Sequence, residues 1–109
     1  MNDKKITLRI SELMLDKKAM DIQIIDVIGL TSLTDYFVNC SSQSDPQTRA
    51  IKNHIEEKIK EEYNMKPLHI EGGEGLRWVL MDYVNIVINI FNEDERKYYD
   101  VERLWGDGK

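Results

Sequence analysis

Cysteine is almost absent from this 109-residue sequence: Cys40 is the only one, so no disulfide can form within the chain. Cys40 follows the apolar run Tyr36-Phe37-Val38, and a free cysteine in such a run is most often a small buried side chain. A reactive thiol is the alternative, because folding can bring a partner to a cysteine that has none nearby in sequence. We therefore interpret Cys40 as part of a hydrophobic core.

Long apolar runs are also missing, and no run approaches the roughly 18–20 residues that a membrane-spanning helix needs. The N-terminus soon becomes amphipathic and lacks the apolar stretch and small-residue cleavage site of a signal peptide. Hydrophobic residues make up 41% of the chain, which is enough for one hydrophobic core, and charged residues make up 32%. We predict a single domain over residues 1–109, in the cytoplasm and without membrane contact.

Basic residues are in the minority, with 15 Lys and Arg against 20 Asp and Glu, a net charge of −5. A general nucleic-acid binder needs Lys and Arg to displace counterions from phosphates. The acidic balance therefore argues against direct, sequence-specific binding to nucleic acid. It suits a partner with a basic surface, although many basic proteins fit that description.

Metal and cofactor motifs are lacking too. The two histidines, His54 and His69, lie far apart, and no cysteine pair accompanies them. The segment Gly72-Gly73-Glu74-Gly75 lacks the Gly-Lys-Ser/Thr ending of a P-loop and carries an acidic residue where a phosphate would sit. The sequence therefore predicts no metal and no cofactor, and we interpret the glycine-rich segment as a flexible turn.

Nucleotidyl transfer is a chemistry that suits a small mixed sheet, and it needs two metal-binding carboxylates that alternate on one strand. Asp45 follows a serine-rich turn, but Pro46 comes next and no second carboxylate follows two residues later. Asp82 stands alone on its strand. We therefore predict that the protein has no catalytic residues and is not an enzyme. A nucleotide-binding enzyme with nucleotidyltransferase-like activity is the alternative that metal-dependent ATP binding would support.

Hydrophobic spacing predicts an α/β fold: a single domain with a mixed sheet of about five strands and flanking helices. The predicted strands cover residues 21–27, 36–41, 67–71, 78–83 and 85–91, the last two forming a hairpin turned around Val84. The predicted helices carry Ile6, Ile10, Leu13, Met14 and Lys17 on one face of the first, and Ile51, Ile55, Ile59 and Tyr63 on one face of the second. Asp45 is expected to cap the second helix, with Pro46 at its first position. A third helical segment is predicted from Asn92 toward Trp105.

Large aromatic side chains are concentrated toward the C-terminus. They are Trp78, Tyr83, Phe91, Tyr98, Tyr99 and Trp105. So many are hard to bury completely in a domain of this size, and partly exposed aromatics are favoured anchors of protein interfaces. Two interpretations stay open: all six complete the core, or some of them form a binding surface.

Four segments of the chain resemble the ribosomal silencing factor family, also called Iojap or RsfS. The matching residues are Lys18-Ala19-Met20-Asp21-Ile22 with Asp26-Val27 and Gly29-Leu30-Thr31-Ser32-Leu33-Thr34-Asp35-Tyr36-Phe37-Val38; Ser44-Asp45 with Arg49-Ala50-Ile51; Ile70-Glu71-Gly72 with Arg77-Trp78-Val79-Leu80-Met81-Asp82-Tyr83; and Glu95-Arg96-Lys97-Tyr98-Tyr99-Asp100-Val101-Glu102-Arg103-Leu104-Trp105. Together they span nearly the whole chain, in the family's order. The resemblance implies a nucleotidyltransferase-like fold without the catalytic carboxylates, in agreement with the missing pair.

The resemblance also implies a function. Family members bind the large ribosomal subunit through its ribosomal protein fourteen, on the face that meets the small subunit. Occupying that face blocks subunit joining and represses translation, mainly under nutrient limitation. Organelle relatives support large-subunit assembly, so an assembly factor is an alternative. Some members are dimeric, which leaves monomer and homodimer both open.

By resemblance, the partner-binding surface centres on the strand that begins at Trp78. The implied residues are Trp78, Val79, Leu80, Asp82 and Tyr83, flanked by Tyr98 of the C-terminal segment. We expect Trp78 to be an anchor that loses its water on binding and Asp82 to meet a basic protein. A fully buried Trp78 would contradict this expectation. Asp35 and Arg49 also match the family and are interpreted as supporting the fold.

The chain departs from the family pattern directly after Asp82-Tyr83. The family usually has Gly-Asp there, followed by a strand that contains His, whereas this chain has Val84-Asn85 and then Asn89. These changes put in doubt any role for that Asp or His, and they weaken the case for a glycine-permitted turn at position 84. They leave the segment around Trp78 unchanged.

Overall fold

A computed structural model describes residues 3–72 and 77–93, which form two helices and five strands. The helices are α1, Asp3–Asp16, and α2, Asp45–Tyr63. The strands are β1, Met20–Asp26; β2, Tyr36–Ser42; β3, His69–Glu71; β4, Trp78–Asp82; and β5, Ile86–Asn92. The predicted segment from Asn92 toward Trp105 falls almost entirely outside the described residues.

The five strands form one mixed sheet, as predicted, and their order in it is β1-β2-β5-β4-β3. The two central strands, β2 and β5, run parallel, with Val38 opposite Ile88 and Asn39 opposite Asn89. All other neighbours are antiparallel. A parallel pair needs a long crossover connection, and α2, β3 and β4 lie within it.

Both helices supply apolar stripes to the hydrophobic core, as their residue spacing predicts. The buried helix residues are Ile6, Ile10, Leu13 and Met14 from α1, and Ile51, Ile55 and Ile59 from α2. They pack with alternate residues of the strands, namely Val38 and Cys40 of β2, Val79 and Met81 of β4, and Ile86, Ile88 and Ile90 of β5. Cys40 is fully buried, which confirms its interpretation as a core side chain. Neither helix combines the length and apolar character needed to span a bilayer.

The start of α2 differs from the prediction by one residue. Ser44, not Asp45, is the cap: its backbone is extended and its Oγ accepts a hydrogen bond of 3.2 Å from the amide of Gln47. A side chain at the cap position reaches that amide, whereas Asp45 is already helical. Asp45 instead places its carboxylate in the first turn, where the helix dipole favours negative charge.

The N-terminal helix α1 is tied to α2 by polar side-chain contacts at the surface. Arg9 binds both carboxylate oxygens of Glu62 at 2.8 and 2.7 Å, and His54 lies 3.1 Å from Asp16. Of the two residues interpreted as supporting the fold, Asp35 does so through its backbone, which bonds to Val27 and Asn85.

The turn between β4 and β5 is centred on Val84, as predicted. The amide of Tyr83 donates to the carbonyl of Ile86 at 2.8 Å, and a carboxylate oxygen of Asp82 accepts from the amide of Val84 at 2.7 Å. Val84 has a φ of 75°, which is strained for a β-branched residue. Its side chain is exposed, so no lost contact offsets relief of that strain.

Replacing Val84 with Gly should therefore stabilise the fold. We expect Val84→Gly to raise the free energy of unfolding by about 1 kcal/mol, since relief of the left-handed strain exceeds the extra chain entropy of glycine. Urea denaturation measures the change. Val84→Ala keeps a Cβ at this φ and is the matched control, expected to gain less than the glycine variant. A glycine variant less stable than wild type would contradict the strain argument.

Candidate functional site

The two faces of β4 have different environments, because successive strand residues point to opposite sides of the sheet. Val79 and Met81 point toward the helices and are buried. Trp78, Leu80 and Asp82 lie on the opposite face; Trp78 is 40% exposed and the other two are partly exposed. Neither helix of the described residues covers this face, which is called the helix-free face below, and it presents three of the predicted binding residues together.

The structure places two of the predicted binding residues elsewhere. Val79 is 2% exposed and Tyr83 is 6% exposed, and both belong to the hydrophobic core. The assignment of these two residues to the surface was therefore wrong: Val79 has the opposite strand parity to Trp78, and Tyr83 turns inward where β4 ends. Tyr98 lies outside the described residues.

The hydroxyl of Tyr83 is buried and has no hydrogen-bond partner among the described residues. Burial, and secondarily the charge of Glu56, raises the pKa of this hydroxyl well above its ordinary value. A buried hydroxyl without a partner destabilises the folded state, because it loses its water without compensation.

Removing that hydroxyl should leave the protein at least as stable. We expect Tyr83→Phe to raise the free energy of unfolding by about 0.5–1 kcal/mol, because the ring is kept and no hydrogen bond is lost. Denaturant unfolding of Tyr83→Phe tests this, with Tyr83→Ala as the comparison that opens a cavity and should lose several kcal/mol. A clear loss of stability in the phenylalanine variant would show that the hydroxyl has a partner.

Trp78 is held in place on the sheet by two neighbours. Its ring stacks on Phe91 with centroids 5.8 Å apart and an interplanar angle of 2°. Its Nε1 donates a hydrogen bond of 3.0 Å to Oδ1 of Asn89. Asn89 in turn donates through Nδ2 to Oδ1 of Asn39 at 2.9 Å. The side chain is thus partly exposed and yet fixed in orientation.

The asparagine pair depends on the central strands. Asn39 and Asn89 are directly opposite each other on parallel β2 and β5, and they are 1% and 3% exposed. A buried amide must be hydrogen-bonded, and the bond from Nδ2 of Asn89 to Oδ1 of Asn39 joins the two side chains. The bond to Asn39 uses Nδ2 of Asn89, and the Oδ1 of Asn89 accepts the hydrogen bond from Trp78. An anchor fixed before binding loses less side-chain entropy when a partner covers it.

Sequence reasoning noted Asn89 only as a departure from the family and did not connect it with Trp78. The available signal was a polar residue in the middle of each of two otherwise apolar strands, at Asn39 and Asn89. Such residues need hydrogen-bond partners when buried, so each of the two asparagines is a candidate partner of the other. What the sequence did not provide was the strand order that brings them together.

Loss of the Asn89 side chain should release Trp78. In a Trp105→Phe background, which leaves Trp78 as the only tryptophan, we expect Asn89→Ala to speed hydrogen exchange at Nε1 by about tenfold, because the indole donor loses its acceptor. NMR of the indole proton measures this. Asn39→Ala is the matched control: it disturbs the same buried pair but leaves the acceptor of Trp78 in place. Equal exchange in wild type and Asn89→Ala would show that this bond does not hold the ring.

The rim of the face carries charge from β3. His69 lies opposite Asp82 in the sheet, and its Nε2 is 3.1 Å from a carboxylate oxygen of Glu71. Among residues 3–72 and 77–93, no three His, Cys, Asp or Glu side chains come close enough to hold a metal ion. The arrangement is an aromatic and aliphatic patch with an acidic edge, which is suited to contact with another macromolecule.

In the described part of the chain, these features define a single α/β domain with a five-stranded mixed sheet, two helices on one face and an aromatic patch on the other. The chain belongs to the ribosomal silencing factor family. The family model described as "Ribosomal silencing factor during starvation" matches residues 2–109. The resemblance found in the sequence is thereby confirmed.

Similar proteins agree with this assignment. The ribosomal silencing factor RsfS of Bacillus subtilis is 38% identical over 107 residues, which cover 98% of this chain and 90% of that protein. A crystal structure of a Chromobacterium violaceum protein superposes with a TM-score of 0.92 at 33% identity, covering 97% of this chain and 88% of that one. The mouse protein named "Mitochondrial assembly of ribosomal large subunit protein 1" is 30% identical over 95 residues, which are 85% of this chain and 42% of that protein.

Proposed function

We propose that this protein is a cytoplasmic translational repressor that binds the large ribosomal subunit through its ribosomal protein fourteen and sterically blocks association with the small subunit, mainly under nutrient limitation. The observation that carries the proposal is the exposed, oriented Trp78 on the helix-free face of the sheet. Family membership supplies the ribosomal context.

The chemistry of the site fits a basic protein partner. Trp78 offers a large apolar surface already fixed by Phe91 and Asn89, and tryptophan is enriched among residues that dominate binding energy. Leu80 extends the apolar strip, and Asp82 adds a carboxylate at its end. The net charge of −5 favours encounter with a positively charged surface.

A steric mechanism needs only affinity and bulk. A subunit face covered by this protein cannot also contact the small subunit, so joining falls in proportion to occupancy. No group of this chain has to form or break a covalent bond in that mechanism. Repression is then reversible and set by the concentration and affinity of the protein.

A role in large-subunit assembly is the second candidate. The mouse relative is named for assembly of the mitochondrial large subunit, and the same binding surface would serve either role. The two roles differ in the form of the subunit that is bound. Preferential binding to assembly precursors over mature subunits would favour the assembly role.

Trp78→Ala should abolish most binding to purified large subunits in co-sedimentation. Loss of an interface anchor costs about 2 kcal/mol or more, which corresponds to roughly a thirtyfold weaker Kd. Asp82→Asn should weaken binding less and reduce its dependence on salt, because it removes charge while keeping an oxygen for the turn. Tyr83→Phe, altered only inside the core, is the matched control and should bind as wild type does.

The outcomes distinguish the proposed function from the proposed binding site at Trp78. Wild-type binding that blocks joining to the small subunit, together with loss in Trp78→Ala, supports both. Equal binding by wild type and a folded Trp78→Ala variant contradicts the site but keeps the function. No binding by wild type contradicts the function, and metal-dependent ATP binding would then be measured to test the nucleotide-binding alternative.

A further inference from the structure

The loop between β1 and β2, residues 27–35, exposes three apolar side chains and buries a polar one. Three apolar side chains point to solvent: Ile28 is 56% exposed, Leu30 57% and Leu33 77%. Meanwhile the polar Thr34 is 5% exposed. The fold gains nothing from exposed Ile28, Leu30 and Leu33, so their apolar character needs another explanation. Residues 27–35 are called the apolar loop below.

The apolar loop is held in a defined shape by hydrogen bonds. The amide of Val27 donates to the carbonyl of Asp35 at 2.9 Å and closes its base, and the amide of Leu30 donates to the carbonyl of Val27 at 2.9 Å. Gly29, with a φ of 84°, permits that tight turn. At Leu33, the amide donates to Oγ1 of Thr31 at 3.1 Å. The exposed side chains are therefore presented on an ordered backbone.

Negative charge surrounds the apolar loop. The sequence has no Lys or Arg between Lys18 and Arg49. Asp26 precedes the loop and Asp35 ends it. Burial raises the pKa of the Tyr36 hydroxyl, and the charges of Asp26, Asp35 and Asp3 raise it further. This end of the sheet therefore combines exposed apolar side chains with the carboxylates of Asp26, Asp35 and Asp3.

The apolar loop is joined to the helix-free face through the β4–β5 turn. The carbonyl of Asn85 accepts hydrogen bonds of 3.1 Å from the amides of Asp35 and Tyr36. The same turn follows Asp82, whose carboxylate bonds to the amide of Val84. The base of the apolar loop thus lies next to the turn that follows Asp82. A partner bound to Trp78, Leu80 and Asp82 would meet the loop beyond the Asp82 end of β4.

We infer that the apolar loop is a second docking surface, which inserts Leu30 and Leu33 into a shallow apolar depression on a basic protein of the large ribosomal subunit. This inference rests on the proposed function and extends it beyond the Trp78 face. Charge decides the kind of partner. Ribosomal RNA and anionic lipid are repelled by the surrounding carboxylates, and a second copy of this chain would bring the same negative charges together.

The test compares two pairs of exposed leucines. Leu30→Gln/Leu33→Gln removes the apolar loop's outer side chains, and Leu8→Gln/Leu15→Gln on α1 is the matched control, since those leucines are 52% and 66% exposed. Kd for purified large subunits is measured by co-sedimentation, after urea unfolding confirms that both variants are as stable as wild type. We expect about tenfold weaker binding for the loop variant and no change for the helix variant. Sedimentation velocity of the free proteins is measured in parallel.

The outcomes distinguish this inference from the function on which it rests. Loss of affinity in the loop variant alone supports the docking surface. Unchanged affinity in the loop variant, with loss in Trp78→Ala, overturns the docking surface and leaves the proposed function standing. An equal loss in both leucine pairs would show a general effect of surface polarity and also overturns it. A wild-type dimer that the loop variant dissociates would assign the surface to a second copy. Absence of wild-type binding overturns both proposals.

Discussion

The parallel pairing of β2 with β5 is the constraint on which the rest of the structure depends. It aligns Val38 with Ile88 beneath the helices and Asn39 with Asn89 on the opposite face. Because strand residues alternate, one register sets both the apolar core and the polar pair. A slip of β5 by one residue would turn Asn89 toward the helices, away from Asn39, and would turn the isoleucines of β5 to the opposite face. The position of Trp78 is thereby a consequence of how two strands distant in sequence meet.

The helix-free face shows how a small domain keeps an exposed tryptophan without disorder. Phe91, 1% exposed, provides a floor for the ring, and Asn89 provides the acceptor that fixes its direction. Neither contact buries the ring completely, so burial of its exposed part by a partner can still contribute favourable binding free energy. Buried polar pairs of this kind also oppose alternative packings, because an unmatched amide in the interior is costly.

Periodicity in the sequence was enough for the elements and much of the core. Ile86, Ile88 and Ile90 alternate on β5 as predicted, and the predicted isoleucine, leucine and methionine residues of both helices are buried. Tyr63 is only partly buried, and Lys17 is exposed beyond the end of α1. The family motif predicts a contiguous set of binding residues, which puts Val79 and Tyr83 beside Trp78 on the surface. Strict alternation already separates Val79 from Trp78. The asparagine pair and the stacking on Phe91 needed the strand order, which is a long-range property that local patterns do not contain.

Val84 lies in the turn between the helix-free face and the apolar loop, and it adopts a positive φ there. Its positive φ is imposed from both sides: Asp82 accepts from its amide, and the Tyr83–Ile86 hydrogen bond closes the hairpin around it. The turn therefore keeps its shape without glycine, at the expense of local strain. Because Asn85 also anchors the base of the apolar loop, that shape determines how the loop sits relative to Asp82. The Trp78 patch, by contrast, is oriented by Asn89 and Phe91, outside the turn. Separate sets of contacts thus orient Trp78 and the apolar loop, so we expect a change in the turn to affect the loop more than the tryptophan.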